Sequence, residues 1–193
     1  MERASAFVKV PRDRIGALIG PDGRVKASIE KKLSVELRID SQSGDIKIIL
    51  MPTVQDPTVL FRAREVITAI GRGFSPEHAF RLLKDDESVL EVIDLREKVG
   101  RSQSEMKRLK GRIIGKEGKT RRLIEELTDT SVSVYGHTVS IIGNVEKADV
   151  AKEAVLMLIR GSLHQTVYRF LHRKREKFKK KKMELWETPN KEL

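Results

Sequence analysis

The chain has 193 residues, with 39 Lys and Arg against 28 Asp and Glu for a net charge of +11, and no cysteine. The lack of cysteine excludes disulfides, thiolate metal sites and cysteine nucleophiles, and no apolar run is long enough to span a bilayer. A basic surplus of this size is the electrostatic footprint of a nucleic-acid binder, while an aromatic content of 5% argues against aromatic stacking as the main binding mode.

In chain order, residues 6–10 alternate as a strand, and Pro11 stands where a helix can begin. A short helix over 13–19 stops at Gly20. A second helix over 24–33 places Val25, Ile29 and Leu33 at four-residue spacing on one face. Val35, Leu37 and Ile39 alternate, as do Ile46 and Ile48, which predicts two strands around a Ser-Gln-Ser-Gly turn. A third helix over 57–70 turns Leu60, Ala63, Ile67 and Ile70 inward. Ser75-Pro76 opens a short extra helix, and Asp85-Asp86-Glu87 makes a charged joint.

The second half follows the same order. A strand covers 89–95, and a helix with a Ser cap covers 104–114. The next helix covers 119–127, followed by a hairpin of 131–135 and 138–142 across Gly136-His137. A helix over 145–159 carries Ala148, Ala151, Val155 and Leu158 on one face. After Gly161, the spacing of Leu163, Val167, Phe170 and Leu171 predicts a helical segment that packs on the body and frays at its Lys-rich end.

These halves are copies. Ile19-Gly20-Pro21-Asp22-Gly23 returns as Ile114-Gly115-Lys116-Glu117-Gly118 at an offset of 95, and Ile29-Glu30 returns as Ile124-Glu125 at the same offset. Ser34-Val35-Glu36-Leu37 aligns with Ser131-Val132-Ser133-Val134, and Ile46-Lys47-Ile48-Ile49 with Val139-Ser140-Ile141-Ile142. Each copy closes on Arg-Gly, at Arg72-Gly73 and Arg160-Gly161. The expected fold class is α+β, with two β-α-α-β-β-α units. Each is a three-stranded sheet with helices on one face. The expected domains are 1–74 and 88–161, joined by a linker at 75–87 and followed by a helical basic tail at 162–193.

Both Gly-x-x-Gly loops lie between two short helices, after a strand and before a hairpin, the context in which such a loop clamps a nucleic-acid backbone. Glycines permit the tight turn and a close approach of phosphate to main chain, and the N-terminus of the next helix offers free N–H groups. In the second loop Gly115, Lys116, Glu117 and Gly118 are joined by the cations Arg112, Lys119, Arg121 and Arg122. A groove of Ile113, Ile114, Ile124 and Val132 would take the bases. In the first, Ile19, Gly20, Pro21, Asp22 and Gly23 form the loop. Asp22 opposes phosphate there, and Arg24 and Lys26 offset it in part, so the second loop is the expected main site. The tail, with ten Lys and Arg against four Glu from His164 to the end, would add sequence-independent phosphate contacts.

The repeated unit resembles the type I KH domain, whose pattern is Ile-Gly-x-x-Gly between two helices. More narrowly, residues 111–125, Gly-Arg-Ile-Ile-Gly-Lys-Glu-Gly-Lys-Thr-Arg-Arg-Leu-Ile-Glu, resemble the archaeal members of the Partner-of-Nob family, as does Val92-Ile93-Asp94-Leu95-Arg96. That resemblance implies paired KH domains, single-stranded RNA binding near the 3′ end of the small-subunit rRNA precursor, and partnership with the PIN-domain endonuclease that trims it. Eukaryotic relatives carry a degenerate first loop; here Gly20 and Gly23 are kept.

Rival readings fare worse. Gly118-Lys119-Thr120 imitates the end of a nucleotide-binding P-loop, but the required earlier glycine is Ile113 and no strand feeds the loop. His78, His137, His164 and His172 have no ligand spacing, and His137 reads as a surface turn residue. We therefore expect a cytoplasmic, monomeric RNA-binding protein that is not an enzyme and takes no metal or cofactor. The alternative is a protein-docking scaffold in an RNA-processing complex, with the extra helix near Pro76–Leu83, the segment around Tyr168, and Trp186 as candidate contacts.

Overall fold

The computed structural model describes residues 4–54, 56–100 and 102–187, without the side chains of 182 and 185–187. The first half runs β1 (Ser5–Lys9), α1 (Arg12–Ile19), α2 (Arg24–Leu33), β2 (Val35–Ile39), β3 (Asp45–Leu50) and α3 (Thr58–Gly71). A connector follows, α4 (Pro76–Ala79) and a 3-10 turn (Phe80–Leu83). Ser75 Oγ accepts from the His78 N–H and Pro76 takes the first helical position. The second half runs β4 (Ser88–Asp94), α5 (Arg96–Val99), α6 (Gln103–Ile114), α7 (Lys119–Thr128), β5 (Ser131–Tyr135), β6 (Thr138–Asn144), α8 (Val145–Ile159) and α9 (His164–Glu187). Each half has a three-stranded antiparallel sheet, in the orders β1-β3-β2 and β4-β6-β5.

Three expectations need correction. Helix α6 starts at Gln103 rather than 104, because Ser102, not Ser104, accepts the capping bond from the Glu105 N–H. The short α5 before it has no counterpart in the first half and is absent from the expected order of elements. The Lys-rich end does not fray within the described residues: α9 stays helical to Glu187. Lys, Arg and Glu are good helix formers. A stripe of Val167 and Leu171, both fully buried, with Phe170 and Phe178 half-buried, holds that helix on the second core.

The strand alignment also shifts. Ser34 and Asp129 both close their helices in the left-handed region, at φ 50° and 52°. Glu30 and Glu125 each accept from a strand N–H, that of Leu37 and of Val132, at 2.8 Å. Leu37 pairs with Ile48 and Val132 with Ile141. Val132 therefore corresponds to Leu37, and the sequence match to Val35 is off by two residues. A slip of two keeps every side chain on its own face, so alternation could not reveal it.

Packing joins the two halves. In β6, Val139 and Ile141 enter the second core, while Ile142 joins the core of the first half with Leu90 of β4 beside it. That first core includes the α3 residues read from sequence, and also Val66, Ala69, Phe74, Ala79 and Leu82. Polar bonds edge the junction. Arg81 donates to Ser131 Oγ at 2.9 Å, Ser133 Oγ donates to the Arg72 carbonyl at 2.9 Å, and Tyr135 hydrogen-bonds Asp13. Arg62 donates to the Asp86 and Ser88 carbonyls at 2.8 and 3.1 Å.

Ser140 lies fully buried on the same face of β6 as Ile142, and its hydroxyl has no hydrogen-bond partner among the described residues. Ser140→Ala should therefore raise the unfolding free energy, by about 1 kcal/mol, in a urea titration. A fall of that size would show that the hydroxyl is satisfied.

Candidate nucleic-acid interface

The two loops share one backbone. Gly20 and Gly115 both sit at φ 72°, ψ 174°, Asp22 and Glu117 at φ 52° and 53°, and Gly23 and Gly118 at φ 74° and 77°. The two glycines of each loop have different tasks. A Cβ on Gly20 would lie 2.4 Å from Val25 Cγ2, and one on Gly115 would lie 2.2 Å from Thr120 Oγ1. These first glycines let the chain pack against the start of the next helix. Around Gly23 the space is open, and at Gly118 only Arg122 Nε comes near, at 3.9 Å. The second glycines leave bare backbone facing solvent. No side chain caps α2 or α7, so the first N–H groups of each helix keep their pull on an anion.

The charges separate the loops. In the first, Arg24 is paired to Asp22 at 3.5 Å and Lys26 to Glu30 at 3.8 Å; Pro21 is exposed. In the second, Lys116 and Lys119 are exposed and have no ion-pair partner among the described residues. Arg122 donates to the Glu117 carbonyl at 2.7 Å and braces the turn. Arg121 lies against Glu125 at 3.8 Å, the carboxylate that also holds the Val132 N–H.

Several residues expected in the groove lie elsewhere. Ile113 and Ile124 are fully buried and Val132 is 3% exposed, so all three belong to the core. Of the apolar set only Ile114 is half-open, as Ile19 is in the first half. Arg112 is not at the loop either. It donates to the carbonyls of Leu158 and Ser162, at 3.3 and 2.7 Å, and closes the C-terminal end of α8. Arg14 does the same for α3, through Ile70 and Phe74 at 2.9 and 2.7 Å, from a helix position one turn earlier.

Other features of the site lie outside the expected set. Gly16 and Gly111, again 95 apart, sit exposed inside α1 and α6 with nothing near the place of a Cβ. Glycine inside a helix costs about 1 kcal/mol relative to alanine, and at both positions it leaves the helix backbone open to solvent. The signal was legible, a glycine inside an amphipathic pattern at the repeat offset. No such signal exists for the second loop's brace from α9. Tyr168 Oη and Thr120 Oγ1 share a hydrogen bond at 2.9 Å, and His164 Nε2 lies 3.0 Å from the Arg112 carbonyl. The Trp186 side chain lies outside the described residues.

No cluster of metal-ligating side chains occurs among the described residues, and no helix there is long and apolar enough to cross a membrane.

Known proteins are similar to this chain in sequence and fold. Residues 89–176 match the family model of the second KH domain of the PNO1 type, described as a eukaryotic-type (type I) KH domain. The chain is 50% identical to a KH domain-containing protein of Methanocaldococcus jannaschii, over 96% of this chain and 80% of that one. It is 29% identical to the RNA-binding protein PNO1 of Oryzias latipes, over 83% of this chain and 66% of the fish protein. The crystal structure of an a/eIF2alpha-aDim2p-rRNA complex from Pyrococcus horikoshii contains a chain similar to it. There the TM-score is 0.85 at 44% identity, over 91% of this chain and 96% of that one.

Alanine at three glycines should separate their tasks in urea unfolding. Gly111→Ala raises stability by about 0.5–1 kcal/mol, because the helix gains and nothing is struck. Gly118→Ala lowers it by about 1–2 kcal/mol through its positive φ alone. Gly115→Ala lowers it by about 3 kcal/mol or more, because overlap with Thr120 adds to the strain.

Proposed function

The chain belongs to the Partner-of-Nob family of type I KH proteins, the family of PNO1 and archaeal Dim2p, and we propose that it holds single-stranded rRNA near the 3′ end of the small-subunit precursor during ribosome assembly. In this reading it works without catalysis. Both halves, 1–74 and 88–161, are KH domains, and the second is the reader.

The observation that carries this is the second loop. There an open glycine, an uncapped helix N-terminus and two unpaired lysines stand together. A phosphate placed there meets main-chain N–H groups and positive charge with no competing carboxylate except the outward Glu117. Bases would lie along α6 over Gly111 and Ile114. The first loop has the same backbone, but its cations are held by Asp22 and Glu30. It therefore serves as the weaker contact. Names of relatives support the substrate: one is called a pre-rRNA-processing protein, and the Pyrococcus neighbour was crystallised with rRNA.

Helix α9 adds cations along its length and supports the loop through Tyr168. The PIN-domain endonuclease is the partner this reading assigns, with the protein, as a monomer, presenting or shielding the cleavage site. A docking role has its own support, since the Pyrococcus complex also contains a/eIF2alpha. RNA affinity that appears only with a partner present would favour that role.

Binding of a 3′-terminal small-subunit rRNA fragment, followed by fluorescence anisotropy at several salt concentrations, tests the reading. Lys116→Asp/Glu117→Asp should stay folded and bind about tenfold more weakly or worse. Its log–log salt slope should flatten by about 0.7 for each phosphate that the loop ceases to neutralise. Pro21→Asp should change affinity by less than about threefold, or about 0.7 kcal/mol. Gly111→Ala should bind more weakly although it is more stable. If none of the three changes affinity, the loops are turns only.

A further inference from the structure

A second feature of the same half lies at the far end of α6 from the loop. In the first half β1 ends at Lys9 and α1 begins at Arg12; in the second β4 ends at Asp94 and α6 begins only at Gln103. The added chain forms α5 and Gly100, and α6 has 12 residues against 8 in α1. At the 95-residue offset Lys107 corresponds to Arg12, so the first turn of α6 is extra. Between α5, this extra turn and the β5–β6 turn is a cavity of about 550 Å³, lined among others by Arg96, Met106, Lys107, Lys110 and His137.

Its charge is one-sided. Lys107 and Lys110 have no ion-pair partner among the described residues. Arg96 is held by Asp94 at 2.6 Å, Glu105 is engaged by Arg108 at 2.7 Å, and Glu97 on α5 is exposed. Asp94, which also lies 3.7 Å from His137 Nε2, and Glu105 are thus each paired with an arginine, and among the described residues Glu97 is the unpaired carboxylate nearby. His137 has a pKa below the ordinary imidazole value. Burial is the first cause, followed by the cations Arg96, Arg72 and Lys110, with Asp94 acting in the opposite sense.

The cavity lies on the path of the groove. Lys107, Gly111 and Ile114 follow one another at spacings of four and three, so they share a helix face. Lys110 and Lys107 stand about 8 and 12 Å along the axis from Gly115. An RNA clamped at Gly115–Gly118 and laid over the bare backbone at Gly111 runs directly into them.

We propose that this cavity is a second backbone subsite of the RNA strand, in which Lys107 and Lys110 hold a phosphodiester beyond the stretch clamped by the loop. The inference rests on the reading of the second loop as an RNA clamp. It gives the second half a longer footprint than the first, whose strand passes straight into its helix. Met106 offers the sugar or base an apolar wall, and His137 lies beside the bound phosphate.

The test uses the full chain and two oligonucleotides from the same rRNA end. One is of about four nucleotides, the length that a Gly-x-x-Gly loop clamps, and the other of about eight. Lys107→Glu/Lys110→Glu should leave affinity for the short RNA within about twofold and lower that for the long RNA by about tenfold or more. The salt slope for the long RNA should fall by about 0.7, the contribution of the one phosphate no longer neutralised. In the unaltered protein, NMR titration should show the His137 pKa rising when the long RNA binds and staying put with the short one. Equal losses for both RNAs, or no loss for either, overturn the subsite. If Lys116→Asp/Glu117→Asp binds both RNAs normally, the clamp reading fails and takes the subsite with it.

Discussion

Strand β6 is buried on both faces, and much of the molecule follows from that constraint. Alternation along an antiparallel strand normally gives one face to a core and the other to water. Here Ile141 points into the second core while Ile142 enters the first. The outer surface of the second sheet is thus covered by the end of α3, the connector helix and the turn that carries Leu82. Each half is small enough that its own core is modest, and a shared wall lets both bury more apolar surface. The covered face also explains the close approach at Gly73, where a Cβ would meet Ser133 Oγ at 2.7 Å and Tyr135 Cβ at 2.9 Å.

With the outer face used for that junction, the helical side and its loops remain for a ligand. The architecture there divides labour among residues that look alike in sequence. Of two glycines three apart, one packs against the next helix and the other opens main chain to solvent. Of five cations close in sequence to the second loop, Arg112 ties down α8, Arg122 braces the turn, Arg121 meets Glu125, and Lys116 and Lys119 have no ion-pair partner among the described residues. Arginines in the structural places and lysines left unpaired match the chemistry of the two groups. A planar guanidinium can satisfy two carbonyls at once, while a flexible ammonium adapts to a moving strand.

The asymmetry between the halves comes from additions to a common plan. The second half carries α5, a longer α6 and the brace from α9, while the first keeps the bare unit with its loop charges cancelled internally. Helix α9 itself lies over α7 and α8, with its apolar stripe in the core, and Lys181 is paired to Glu146 at 2.6 Å. Part of its positive charge is therefore engaged by its own scaffold, and the formal charge of the tail overstates what it presents to a phosphate backbone.

Much of this was legible in the residues. The repeat at an offset of 95, the order of elements and the inward faces of α2, α3 and α8 depend on local periodicity and turn chemistry, which one-dimensional sequence records. The loops were legible too, because glycine at positive φ has few substitutes. The tertiary structure alone decided which apolar residues near the second loop are groove and which are core, since Ile113 and Ile114 are adjacent and differ only in the side of the helix they face. It also decided the fate of Arg112, whose partners lie more than forty residues away at the end of α8. The two-residue slip in the strand match came from the same source. Period-2 alternation is unchanged by such a slip, and only the glutamate that reaches across from the helix fixes the register.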